Sequence, residues 1–224
     1  RQRYIENIHQ SYKRRLDAAG IATLPMRAHF VDARTVECND GVRLRAPKIV
    51  IATGGRPQRL HVPGAELGGV SDDFFHLCHA PKRVALIGSG YIAVELAGVL
   101  QALGSQVELF ARNSRLLASF DAELAELLAE DYRQSGVHLH FDYRLQALER
   151  DGARIRLRAA DGVAGEAFDT VLFATGRQPN TDGLHLENVG VAMDMRGQVQ
   201  VDAWQSTNVV GVYAVGDVTG QRTL

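Results

Sequence analysis

The stretch Val84-Ala85-Leu86-Ile87-Gly88-Ser89-Gly90-Tyr91-Ile92-Ala93-Val94-Glu95-Leu96-Ala97-Gly98 decides the fold. Val84–Ile87 is an unbroken apolar run, as a strand buried on both faces requires. The chain then turns through Gly88-Ser89-Gly90 and enters a helix with Ile92, Leu96, Val99, Leu100 and Leu103 on one side, closed by Gly104. Gly88, Gly90 and Ala93 stand in the pattern G-x-G-x-x-A. The first glycine permits the tight turn, the second lets the backbone approach a pyrophosphate, and the small third residue lets the helix pack closely on the strand. The start of the helix then offers unpaired N–H groups and a partial positive charge to phosphates, at Gly90, Tyr91 and Ile92. Such spacing is a weak signal by itself, but here strand, turn and helix surround it in the required order. The stretch points to dinucleotide binding, the alternative being a purely structural glycine turn.

The end of the next strand, Gln106–Ala111, bears on which dinucleotide. An NAD-type site needs a carboxylate there, about 20 or more residues past the first glycine, to bond the ribose hydroxyls. Position 111 is alanine and Arg112 follows. Glu108 lies three residues earlier, on the order of 10 Å away, and faces the other side of the strand. An arginine without an acid favours the 2′-phosphate of NADPH over NADH, and Arg115 offers a second charge. Both arginines can also be read as ordinary solvated loop charges.

Further out, Asp121–Gln134 reads as a second helix with Ser119 or Asp121 as its N-cap. Val137–Phe141, Ala153–Arg158 and Thr170–Ala174 read as further strands, the last followed by Thr175-Gly176. Alternating strands and helices imply right-handed crossovers in a parallel sheet, an α/β, doubly wound, Rossmann-like fold. Upstream, Tyr4, Ile5, Ile8, Tyr12 and Leu16 recur at helical steps before Gly20, and small strands are expected at Ala28–Val31, Val36–Cys38 and Arg43–Arg45. Lys48–Ala52 is a second buried strand that meets the glycine turn Thr53-Gly54-Gly55, and the prolines and glycines from Pro57 to Gly69 read as a linker.

Composition agrees with a cofactor-binding enzyme. Of 224 residues 46% are hydrophobic, which excludes a disordered chain, and 25 basic side chains against 26 acidic ones leave no cationic excess for nucleic acid. No apolar run approaches the roughly 18 to 20 residues of a membrane span, and no signal peptide opens the chain. The two cysteines, Cys38 and Cys78, are in no metal or CxxC spacing. Together these features predict a soluble, cytoplasmic protein with unpaired thiols.

Five ordered motifs carry a resemblance over essentially the whole chain. They are Ile51-Ala52-Thr53-Gly54-Gly55-Arg56-Pro57, Ser71-Asp72-Asp73-Phe74-Phe75, Gly88 to Gly98, Ala174-Thr175-Gly176-Arg177 with Pro179-Asn180, and Tyr213-Ala214-Val215-Gly216-Asp217. Together they resemble the flavin-dependent pyridine nucleotide-disulfide oxidoreductases, and most of all the glutathione reductases among them. The resemblance implies a Rossmann-like NADPH-binding domain, residues 72–177, inserted between two parts of an FAD-binding domain, residues 1–71 and 178–224. It gives Asp217 a hydrogen bond to the flavin's ribityl chain, Ala28 a backbone contact to the FAD adenine, and Thr53-Gly54 a place along the flavin diphosphate. Gly176 is similar to the turn beside NADPH, and Tyr91 to a ring that covers the nicotinamide pocket. Glu95, the one charged residue of its helix, is implied to pair with a lysine outside this chain. Tyr12 resembles a tyrosine that touches glutathione disulfide, although a helix-core role competes.

Two departures stand against the family pattern. Ala118 occupies the place of a second family arginine, for which Arg115 is the candidate substitute. The family's redox C-x-x-x-x-C pair, its His-Glu acid-base pair and its C-terminal dimer domain have no counterpart in these residues. The expectation is therefore the central portion of a homodimeric flavoenzyme, inactive toward glutathione disulfide by itself, the alternatives being another disulfide reductase of the trypanothione, mercuric or dihydrolipoamide type and a non-catalytic nucleotide-binding module.

Overall fold

The computed structural model describes residues 2–159 and 164–221, with the side chains of residues 164 and 165 left aside. The chain forms two compact units, residues 1–52 with 181–224 and residues 53–180.

The first unit opens with helix α1 (Gln2–Ala18), none of whose residues is buried. Strands β1 (Ala28–Asp32), β2 (Thr35–Cys38) and β3 (Arg43–Arg45) form an antiparallel meander, and β4 (Ile49–Ile51) follows. The second unit holds β5 (Gly55–Pro57), β6 (Gly69–Val70), β7 (Arg83–Ile87), α2 (Tyr91–Ala102), β8 (Gln106–Phe110), α3 (Ala122–Gln134) and β9 (His138–His140). It continues through β10 (Leu145–Asp151), β11 (Arg154–Ala159), β12 (Ala164–Phe168), β13 (Thr170–Phe173) and β14 (Arg177–Pro179). Back in the first unit, β15 (Val212–Ala214) pairs parallel with β4, and Phe30, Ile51, Leu186, Val199 and Val218 pack around that pair.

The heart of the second unit is a five-stranded parallel sheet in the order β6-β13-β7-β8-β9. Alternate residues of its strands serve two cores. Val84, Leu86, Val107, Leu109 and Leu172 face α2 and α3, while Ala85, Ile87, Phe110, Val171 and Phe173 face the β10-β11-β12 sheet. Burial on both faces is what the apolar runs of β7 and β13 require. On the helical side the Tyr132 hydroxyl donates to the Val94 carbonyl at 2.7 Å and ties α3 to α2. Asp121 is the N-cap of α3, its carboxylate accepting from the Glu123 and Leu124 amides.

Two expectations are corrected. Residues 154–159 are not a strand of the parallel sheet but the middle of a three-stranded antiparallel one. Ile155, Leu157 and Ala159 point inward between outward arginines, the alternation of a sheet with one wet face. Nor is 57–69 a linker. Leu60, Val62, Ala65 and Leu67 pack into the core beside Phe173, and Gly69–Val70 forms the edge strand. That packing carries the compact unit beyond residues 72–177 at its N-terminal side.

Candidate functional site

The glycine turn is held from behind. The Gly88 amide donates to the Phe110 carbonyl at 2.9 Å, and the Ala174 amide to the Ile87 carbonyl at 2.8 Å. Gly88 has φ +145°, and a Cβ there would lie 2.3 Å from the Ala174 carbonyl oxygen. Gly90 is the opposite case, with φ −82° and no atom within 4 Å of where its Cβ would be. The turn is thus closed toward the sheet and open at the start of α2. No side chain caps that helix end, and Ala93, fully buried, brings α2 against the sheet. The amides ahead of the first helical bond, which Val94 makes to the Gly90 carbonyl, are those a helix cannot satisfy internally. Uncapped amides beside an open backbone face fit a phosphate group.

The loop after β8 closes over this turn. Leu116 is buried in the helical core, and the Leu117 amide donates to the Ser89 carbonyl at 2.7 Å. Arg112 is exposed and makes no hydrogen bond or ion pair among the described residues. Arg115 donates instead to the carbonyls of Ala118, at 2.7 Å, and Phe120, at 3.4 Å.

Glu108 is engaged elsewhere. Its carboxylate accepts from Arg83 Nη2 at 2.6 Å and from His140 Nε2 at 2.8 Å, on the face of the sheet opposite α2. Arg83 also pairs with Glu166, and the His140 ring stacks on Phe110 at 4.4 Å. The His140 bond and then the Arg83 bond hold the Glu108 carboxyl below its usual range, against a burial effect that raises it. Because the folded state lowers this pKa, the associated stability is complete above the unfolded value of about 4.3 and is lost as pH falls through the folded value. Glu108→Gln should lower stability by about 1–3 kcal/mol near neutral pH, with a shrinking difference from the parent below pH ~4. Urea titrations at several pH values check this; a deficit that stays constant in acid would show that the charge is irrelevant.

Two of the motifs turn out to be partners. β5 and β14 pair antiparallel, so Gly55-Arg56-Pro57 lies along Arg177-Gln178-Pro179. Asn180 donates from its backbone amide to the Gly54 carbonyl and from its side chain to the Thr53 carbonyl, each at 2.9 Å. Arg56 donates to the Asn180 side chain at 3.0 Å, and Thr175 Oγ1 to the Gln58 carbonyl at 2.7 Å. Gly176 sits within this clasp, its carbonyl accepting from the Gln58 amide at 2.9 Å. Arg56, Thr175 and Asn180 had no assigned role in the sequence, although each lies in a quoted motif.

Tyr91 begins α2 half-buried, and its hydroxyl is buried with no hydrogen-bond partner among the described residues. Ile92 packs at the edge of the helical core. Glu95, by contrast, is exposed. In the first unit Asp217 lies in the turn after β15, and Ala28 opens β1. Tyr12 is 62% exposed on α1, so it is no helix-core residue among these contacts.

Among the described residues no cluster of three or more His, Cys, Asp or Glu could hold a metal ion, and no helix is long and apolar enough to cross a membrane. Cys38 is buried and Cys78 exposed, both unpaired.

A sequence model of the pyridine nucleotide-disulphide oxidoreductases matches residues 2–224. The chain is 40% identical over 220 residues to a glutathione reductase of Burkholderia cepacia, covering 98% of this chain and 49% of that protein. It therefore spans about half the length of that relative. Among solved structures, the HOCl-induced flavoprotein disulfide reductase RclA of Escherichia coli matches with TM-score 0.90 and 28% identity, over 100% of this chain and 52% of its own. LpdA of Mycobacterium tuberculosis matches with TM-score 0.86 and 28% identity, over 96% and 49%.

Proposed function

Because the chain belongs to the pyridine nucleotide-disulphide oxidoreductase family, we propose that it is the nucleotide-binding portion of an NADPH-dependent, FAD-containing glutathione-disulfide reductase. The observation that carries the NADPH part is the contrast at β8. Glu108, the nearest acid, is bonded to Arg83 and His140 on the far face of the sheet, while exposed Arg112 has no partner among the described residues beside the open glycine turn. A cation that no described residue neutralises suits a 2′-phosphate, and the lack of a carboxylate at the strand end disfavours NADH.

On this reading Gly88, Gly90, Tyr91 and Ile92 hold the pyrophosphate end of NADPH, and Tyr91 and Glu95 stand one helical turn apart at the nicotinamide side. Gly176 closes the same site. In the first unit, Ala28 and Asp217 are the residues that the resemblance assigns to FAD, the Asp217 carboxylate accepting from flavin hydroxyls; in the second, it assigns Thr53 and Gly54 to the flavin diphosphate. When bound, NADPH supplies a hydride, the flavin accepts it, and the electrons pass on to a disulfide. Cys38 and Cys78 are both unpaired. Their unpaired state supports a cytoplasmic setting. The whole enzyme acts on glutathione disulfide, which Tyr12 contacts, and works as a homodimer.

Fluorescence titration tests the reading. NADPH should bind the chain about tenfold or more tightly than NADH, the worth of one charge-assisted contact. The chain supplied with FAD should show no NADPH-dependent loss of glutathione disulfide. Preference for NADH would overturn the cofactor assignment, and turnover would overturn the placement of the redox disulfide. A second reading, a reductase of the same plan for another disulfide, draws on the 28% identical flavoprotein RclA. Rates of the full-length protein with glutathione, trypanothione and lipoamide disulfides separate the two.

A further inference from the structure

We infer that Arg115 is a positioning residue for cofactor binding, and that Arg112 alone reads the 2′-phosphate; this rests on the NADPH reading above. The two arginines sit three residues apart in one loop, yet the structure uses them differently. The Arg115 guanidinium reaches forward along its own loop, donating to the Ala118 carbonyl at 2.7 Å and the Phe120 carbonyl at 3.4 Å. Those bonds brace the connection into α3, whose N-cap is Asp121.

Three further contacts make the loop a rigid piece. Leu116 is fully buried against the sheet, and the Leu117 amide donates to the Ser89 carbonyl inside the glycine turn at 2.7 Å. The Phe120 amide returns to the Leu117 carbonyl at 2.8 Å, and Leu117 holds φ +48°. A non-glycine residue in left-handed backbone persists only where its surroundings determine it. Arg115 supplies part of that determination, since its guanidinium closes the carbonyl side of the same bend. With its forks on carbonyl oxygens, Arg115 does not compensate for the arginine that Ala118 replaces. It keeps the loop seated on the glycine turn, so that Arg112 stands at the rim.

The two roles give different binding patterns. Arg112→Gln should weaken NADPH and adenosine 2′,5′-bisphosphate about ten- to hundredfold and leave NADH unchanged. Arg115→Gln should weaken NADPH and NADH by one common factor, leave their ratio unchanged, and speed hydrogen exchange at the Leu117 and Phe120 amides. Arg115→Lys, which keeps a donor, should fall between. If Arg115→Gln loses NADPH and adenosine 2′,5′-bisphosphate while sparing NADH, or changes neither affinity nor exchange, the positioning role is overturned. If the parent chain binds neither dinucleotide, the NADPH reading fails first and takes this assignment with it, an outcome seen before any variant is made.

Discussion

Gly88→Ala should cost the protein much of its stability, whereas Gly90→Ala, two residues away, should cost it only its ligand. At Gly88 the added methyl would stand 2.3 Å from the Ala174 carbonyl oxygen, and the backbone holds φ +145°, a region that L side chains rarely adopt. Neither neighbour can yield, because Ala174 is itself bonded to Ile87 between buried strands. Backbone strain and overpacking together amount to about 3–6 kcal/mol. Set against a domain stability of roughly 5–15 kcal/mol, that removes a large share of it and unfolds the chain if the parent lies at the low end. At Gly90 the methyl meets nothing within 4 Å and φ is −82°, so the fold should stand. The methyl would nevertheless occupy the space through which a pyrophosphate must reach the helix amides, weakening NADPH about ten- to hundredfold. Thermal melts and NADPH titrations on both variants check the contrast. A parental melting curve for Gly88→Ala would show that the turn can relax, and parental affinity for Gly90→Ala would remove the phosphate from this position.

Gly64→Ala should also be severe, in a stretch whose composition reads as a linker. Gly64 holds φ +74°, and a Cβ there would stand 1.9 Å from the Leu148 carbonyl oxygen. That carbonyl belongs to β10, whose Leu148 amide already donates to the Pro63 carbonyl at 2.9 Å. The methyl would therefore push β10 and the 57–69 segment apart where Ala65 and Leu148 enter the core. A loss of about 3–5 kcal/mol is expected, with the sheet-side core opening first. Urea unfolding gives the magnitude, and hydrogen exchange at β10 and β11 gives the location. A Gly64→Ala chain within about 1 kcal/mol of the parent would mean that the contact is dispensable.

The contrast between these glycines shows what a sequence of this kind exposes. Gly88 was legible because its role is local: an apolar run, a turn and a helix within one short stretch imply the geometry that demands it. The parallel sheet was legible for the same reason, its strands being buried on both faces. Gly64 was not, since nothing in Pro63-Gly64-Ala65 tells that Leu148 will lie against it. The antiparallel sheet half escaped as well. Ile155 and Leu157 alternate with arginines plainly enough, but β10 and β12 are identified only by the strand they pair with.

The site residues divide along the same line. Glu108 could be set aside from strand parity alone, and the structure supplies the reason in Arg83 and His140. Arg112 and Arg115, which look alike in sequence, are separated by their partners: Arg115 donates to the Ala118 and Phe120 carbonyls, and Arg112 to no described residue.

The clasp between β5 and β14 has a topological consequence. The chain enters the 53–180 unit at Thr53-Gly54 and leaves it at Asn180, and these points are hydrogen-bonded to each other. A unit whose two ends meet in this way behaves as a cassette: its interior can be lengthened, shortened or exchanged without altering the short span between the two points at which the host chain is interrupted.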